Sequence, residues 1–177
     1  EKTGKTVLHM DIGGGTSNLA LIREGKITAT TCLNVGGRLI KYDKNGYITY
    51  ISPVLQGIVS SKVGDIVTKE LLQTVAEILT DALEMAAGHR PATDLLQTLT
   101  TEEVKDLWQP PENVVLSFSG GVADCIAGDI PWQSFGDLGP ILGQTIRKSA
   151  LCNGEYVLGR ETIRATVIGA GCHSVRL

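Results

Sequence analysis

An α/β fold built on a mixed sheet is what this sequence predicts, on three observations. Short apolar runs joined by tight turns open the chain, in the pattern of an antiparallel meander. A long amphipathic helix follows them. Two later apolar runs each come after helical sequence, so they need crossover connections and join the sheet in parallel. The expected architecture is a three-strand antiparallel meander plus two parallel strands, with flanking helices.

Each element has its own signal. Residues 5–12 alternate, placing Thr6, Leu8, Met10 and Ile12 on one face and Val7, His9 and Asp11 on the other. Residues 18–22 and 26–33 complete the meander around the turn Arg23-Glu24-Gly25-Lys26. Asn34-Val35-Gly36-Gly37-Arg38 breaks the ladder, as a close backbone approach or as a bulge at the strand's exit. Residues 39–42 and 47–51 pair around Asn45-Gly46, so 38–53 reads as an inserted or edge hairpin. The longest helix is expected over 65–87, with Leu71, Val75, Leu79 and Leu83 among its apolar positions, Gly64-Asp65 at its start and Gly88 at its end. Its other face, with Lys69, Glu70, Glu77, Asp81 and Glu84, reads as solvated. A helical turn covers 92–99, and Thr100 with Glu103 forms a capping box for a helix to about residue 107. Trp108 packs down at the end of that helix. Residues 113–118 contain the continuously apolar Val114-Val115-Leu116 of a central strand and run into Ser119-Gly120-Gly121-Val122 at the head of a helix. A further helix starts at Asp137 or Gly139-Pro140 and reaches about residue 148. Residues 162–168 form the last strand and end on Gly169-Ala170-Gly171.

Composition narrows the function. The 177 residues fit one domain and can bury a core. A hydrophobic fraction of 42% with 20% charge is that of a soluble globular chain. Net charge is −3 with no Lys/Arg run, which argues against nucleic acid as a partner. No apolar run approaches the ~20 residues of a membrane span, and no apolar leader follows Glu1. The expectation is a cytoplasmic protein and, without an initiating Met, a piece of a longer one. Cys32, Cys125, Cys152 and Cys172 lack any C-x-x-C spacing, so they read as reduced, mostly buried thiols and not as a zinc site.

The chemistry sits in Asp11-Ile12-Gly13-Gly14-Gly15-Thr16. Three glycines between two strands leave backbone N–H groups open to an anion. The P-loop and Rossmann turns differ, because a helix follows their glycines directly. A plain hairpin turn would use the same residues. What favours an anion is company: Gly120-Gly121 and Gly169-Ala170-Gly171 also end strands. If the strands align, one ligand touches all three turns at one sheet edge. A carboxylate facing phosphate needs a cation between them, which makes Asp11 the candidate metal ligand. His9, two residues earlier, reads as a satisfied core or rim group.

In order and spacing, the chain resembles one half of the actin, heat-shock-70 and sugar-kinase ATPase superfamily. Asp11-Ile12-Gly13-Gly14-Gly15-Thr16 is similar to its second phosphate motif. Leu116-Ser117-Phe118-Ser119-Gly120-Gly121 is similar to its adenosine motif, and Val167-Ile168-Gly169-Ala170-Gly171 to its second connecting segment. The resemblance implies a ribonuclease H-like, actin-type ATPase subdomain. Residues 1–177 would be one nucleotide-binding half-domain, with the first phosphate loop on a missing N-terminal half. Within the superfamily, Cys32-Leu33-Asn34-Val35-Gly36-Gly37-Arg38-Leu39-Ile40 and Phe135-Gly136-Asp137-Leu138-Gly139-Pro140-Ile141-Leu142-Gly143 resemble the reactivating factors of ethanolamine ammonia-lyase.

That resemblance implies a chaperone-like factor dependent on ATP and Mg2+. Such a factor releases damaged cobalamin from the lyase so that intact adenosylcobalamin can bind, and cobalamin enters only through that partner. Asp11 would bind Mg2+ through water, Gly13, Gly14, Gly15 and Thr16 would donate to phosphate oxygens, and Gly120, Gly121 and Val122 would border the nucleoside. Weak ATPase activity is expected of the full-length protein and none of the isolated piece. A bacterial microcompartment is an implied location, and homo-oligomerisation is left open. A small-molecule kinase and an actin-like scaffold or filament ATPase are the competing readings.

Overall fold

The structure is a computed structural model that describes residues 4–101 and 108–159. Strands β1 (Thr6–Ile12), β2 (Ser17–Arg23) and β3 (Lys26–Leu33) form the expected meander. With β6 (Val114–Ser119) and β7 (Tyr156–Leu158) they make a five-stranded sheet in the order β3-β2-β1-β6-β7. The meander is antiparallel, and β6 runs parallel to both β1 and β7. The strand expected at 162–168 and the turn at Gly169 to Gly171 lie outside the described residues. The strand that pairs with β6 comes earlier, at Tyr156–Leu158. A three-residue run is too short to show a period, so sequence reading passed over it.

Strands β4 (Ile40–Tyr42) and β5 (Ile48–Ile51) form a separate two-stranded ribbon. Helix α1 spans Lys69–Ala86 and so starts four residues later than expected from Gly64-Asp65. The reason is competition for backbone partners. Residues 64–67 lie along the ribbon, where Ile48 N–H donates to Asp65 O at 2.8 Å and Val67 N–H to Gly46 O at 2.8 Å. Helical geometry begins only where Thr68 Oγ1 accepts the Leu71 N–H at 3.1 Å. At the other end Gly88 takes φ +76°, and the Trp108 indole N–H donates to Ala86 O at 2.9 Å.

Helix α2 (Asp94–Leu99) is capped by Thr93 and closed by Thr100, whose Oγ1 donates to Leu96 O at 2.6 Å. Glu103 and the helix expected after it lie outside the described residues. Helices α3 (Gly121–Ala127) and α4 (Gly139–Lys148) follow β6. One face of the sheet, with Leu8, Met10, Ile12, Leu116 and Phe118, shares a single buried cluster with Leu72, Val75 and Leu79 of α1 and Ile141, Leu142 and Ile146 of α4. Burying a side chain of this size stabilises by roughly 1.5–3 kcal/mol.

The reading of α1's polar face as solvated fails at Glu84. This residue is buried; its Oε1 accepts the Ala150 N–H at 3.1 Å and its Oε2 pairs with Arg90 Nε at 2.8 Å. The chain just after α4 covers that part of α1, and periodicity within one helix carries no information about a neighbour arriving 66 residues later.

The opposite face of the sheet is polar and also buried. His9 is fully buried, with Nδ1 2.9 Å from Ser117 Oγ and Nε2 2.8 Å from Ser119 Oγ. A neutral imidazole has one donor and one acceptor nitrogen, so the two serine hydroxyls complete it. Cys32 and Cys125 are buried thiols, and Cys172 lies outside the described residues.

Burial pushes the His9 pKa from 6.5 down to about 4. As pH falls, the unfolded chain therefore takes up this proton before the folded one. The contribution of neutral His9 is complete above pH 6.5 and is lost as pH falls through about 4. It amounts to about 3 kcal/mol. Urea unfolding should show stability falling across that window, and His9→Gln should flatten the fall. An equal pH slope in both proteins would exclude His9 as its source.

Candidate functional site

The site begins at the register of two strands. Parallel pairing places Asp11 opposite Ser119, so β1 and β6 end at the same edge. The turns that follow them are therefore neighbours. At Gly120, φ is +90°, and a Cβ there would collide with Ile12 O and lie 2.7 Å from Asp11 Oδ1. The Asp11 carboxylate thus rests against the β6–α3 turn while its own strand feeds the glycine turn Gly13 to Gly15. Asp11 is 5% exposed.

Inside the first turn, Gly13 N–H donates to Thr16 O at 3.0 Å. Gly13 is therefore held by the turn itself. Among the described residues, no backbone carbonyl takes the N–H of Gly14, Gly15 or Thr16. These three are the donors that an anion would meet.

A second loop locks onto this turn. Gly37 N–H donates to Gly13 O at 3.0 Å, and Arg38 N–H to Gly14 O at 2.8 Å. Gly36 lies so close that a Cβ would meet Gly15 N at 2.8 Å. A Cβ on Gly37 would fall 3.0 Å from Gly139 Cα and 3.1 Å from Val122 Cγ2. The pair read from sequence as a bulge or a close approach is a close approach. It forms a seam in which the backbones of the first turn, the 36–38 loop and the start of α4 touch with almost no side chain between them.

Above this seam lies a cleft of about 710 Å³, lined in part by Gly13, Gly14, Gly121 and Val122. Four of the sequence-predicted residues thus meet in one space. Asp11 and Gly120 sit beneath it, in the contact described above. Gly15 is exposed and Thr16 half-buried on the same turn, outside the cleft lining.

Sequence reading gave no role to four charged residues that line this cleft: Arg38, Lys41, Asp124 and Asp137. The position of Arg38 directly after Gly36-Gly37 was the available signal. Asp137 Oδ1 accepts the Gly139 N–H at 2.8 Å, so it caps α4, and its Oδ2 lies 3.9 Å from Arg38 Nε. Burial raises the Asp137 pKa, opposed by that N–H bond and by Arg38 and Lys41. Burial, with Asp137 and Asp124 nearby, pushes the Cys125 thiol up to about 11. Cys125 is therefore held as a protonated thiol in the cleft wall.

Among the described residues, no three His, Cys, Asp or Glu side chains are grouped to hold a metal ion. A carboxylate beside a glycine turn suits Mg2+, which keeps several waters and takes its other ligands from phosphate. It does not suit zinc. Among the described residues no helix is long and apolar enough to cross a membrane.

Fold and site together define a mixed α/β protein with a glycine-lined cleft at the edge where two parallel strands end. The chain belongs to the EutA family: the family model described as "Ethanolamine utilisation protein EutA" matches residues 1–177. It is 34% identical over 187 aligned positions to the "Ethanolamine ammonia-lyase reactivase EutA" of Salmonella typhimurium, covering 97% of this chain and 38% of that protein. The Escherichia coli K12 protein of the same description matches with the same identity and coverage. The chain thus spans well under half the length of these curated relatives.

Glycine contacts give the site a mutational signature. Gly120→Ala forces a side chain onto Asp11 and Ile12 at a positive φ, and should cost roughly 1–3 kcal/mol in urea unfolding. Gly121→Ala, one residue on, meets nothing within 4 Å and should leave stability within about 0.5 kcal/mol. Equal costs at the two positions would contradict the packing of the two turns.

Proposed function

We propose that residues 1–177 are one nucleotide-binding half-domain of an actin-like ATPase, with 38–53 as a ribbon inserted at its edge. The ATPase works as a reactivating factor for ethanolamine ammonia-lyase. The observation that carries the nucleotide reading is the meeting of Gly13 and Gly14 with Gly121 and Val122 in one cleft, at the ends of two parallel-paired strands. The description of the relatives as ethanolamine ammonia-lyase reactivases supports the choice of partner.

In this reading the N–H groups of Gly14, Gly15 and Thr16, with the Thr16 hydroxyl, donate to phosphate oxygens. Gly13 shapes the turn and leaves the approach open. Gly120, Gly121 and Val122 border the nucleoside, with Gly120 seated on Asp11 and Ile12 beneath it. Asp11 holds Mg2+ through water. Bound Mg2+ would offset the phosphate charge, and the chain's own contribution is positioning. The opposing wall of the cleft comes from the N-terminal half of the full-length protein. ATP binding and hydrolysis there release damaged cobalamin from the lyase, in the cytoplasm or in a microcompartment that houses the lyase.

The test is recovery of deamination by cyanocobalamin-inactivated lyase, supplied with the full-length protein, ATP, Mg2+ and adenosylcobalamin. Recovery should require all four. No recovery, with the lyase and cofactor controls active, removes the reactivase reading. Asp11→Asn keeps the side chain's size and should cut ATP-dependent recovery at least tenfold. Unchanged recovery would remove Asp11 from the metal site.

A further inference from the structure

We infer that Arg38 is the residue of the cleft that selects for anionic phosphate, and that Asp137 is its weak resident partner, displaced when the anion arrives. The inference rests on the nucleotide reading above and names the group that would separate a nucleotide from a nucleoside.

The backbone of Arg38 is part of the glycine turn's own bonding. Its N–H donates to Gly14 O at 2.8 Å, and its neighbour Gly37 donates to Gly13 O at 3.0 Å. The side chain then lies back across the turn, so that a Cβ on Gly14 would meet Arg38 Cδ at 3.1 Å. The arginine stem thereby packs on the turn that would hold a phosphate, and Arg38 lines the same cleft as Gly13 and Gly14.

The present partner of Arg38 is weak. Its Nε is 3.9 Å from Asp137 Oδ2, and its side chain is 60% exposed. Among the described residues it makes no other ion pair. A pair this long and this wet contributes little, so exchanging it for a phosphate oxygen costs little. Asp137 does not need Arg38 to stay ordered, because its Oδ1 is held by the Gly139 N–H at 2.8 Å. The carboxylate remains at the start of α4 when the arginine leaves.

Chemistry and competition both favour Arg38 over the other cation of the cleft. A guanidinium offers a planar fork of donors that matches two phosphate oxygens. Lys41 is already placed over the Tyr50 ring, with Nζ 5.2 Å from its centroid. Asp124 and Asp137 line the same space, and Asp11 lies beneath it. Without Arg38 the carboxylates would dominate the charge that a phosphate meets.

Calorimetry on the full-length protein with Mg2+ tests this, using ATP, ADP and adenosine as ligands. Arg38→Ala should weaken ATP and ADP binding about tenfold or more and change adenosine binding less than twofold. Arg38→Lys keeps the charge without the fork and should fall between wild type and Arg38→Ala. Asp137→Asn retains an oxygen for the Gly139 N–H and removes the competitor, so ATP binding should tighten by about two- to threefold. Equal losses for ATP and adenosine in Arg38→Ala, or no loss for either, would overturn the assignment while leaving the nucleotide reading standing. A wild-type protein that binds neither ATP nor ADP would overturn that reading, and this inference with it.

Discussion

The rest of the structure depends on the parallel pairing of β1 with β6. Its register sets Asp11 beside Ser119 and brings two chain turns, more than 100 residues apart in sequence, into contact. One extra residue in either strand would move Gly120 away from the Asp11 carboxylate and exchange the apolar and polar faces of the sheet. The apolar face is fixed by Met10 and Phe118 against the helices. The cleft is therefore a consequence of core packing, because the buried apolar face chooses the register that brings the two turns together.

The polar face uses the same register differently. His9 spans Ser117 and Ser119, so its ring spans two alternate positions of the neighbouring strand. These bonds satisfy all three buried groups without bringing a charge into the sheet. They also tie the strand ends that lead into the two turns. The second layer of support is the 36–38 loop, which adds backbone bonds to the first turn where no ladder partner remains. Both supports act on main chain, and this is how a turn of three consecutive glycines keeps one shape.

Much of this was legible in the sequence, and what was not has identifiable causes. Alternation on β1 correctly separated Leu8, Met10 and Ile12 from His9 and Asp11, because a strand buried on a helix layer must keep its period. Gly13, Gly14, Gly121 and Val122 could be named as one group because glycines at strand ends announce close approach. The start of α1 was misplaced because Asp65 to Val67 trade helical bonds for bonds to a ribbon, a tertiary choice that local propensity does not record. Glu84 was misread for a similar reason, its partner Ala150 arriving from another element. Arg38 and Asp137 gained their meaning only from the fold. Each looks like an ordinary turn or cap residue until the seam places them side by side.

The seam itself has a mechanical consequence. On one side, hydrogen bonds weld the 36–38 loop to the first glycine turn, so those two segments form one plate. On the other side, Gly37 meets Gly139 and Val122 through van der Waals contact alone. Gly37 and Gly139 face each other there backbone to backbone, beside the Val122 side chain and the Arg38–Asp137 pair. A side chain added at Gly37 would have to push that contact apart. The plate carries the first glycine turn, and the facing surface leads directly into α4. The absence of side chains on Gly37 and Gly139 is what lets the first turn and the start of α4 share one cleft wall.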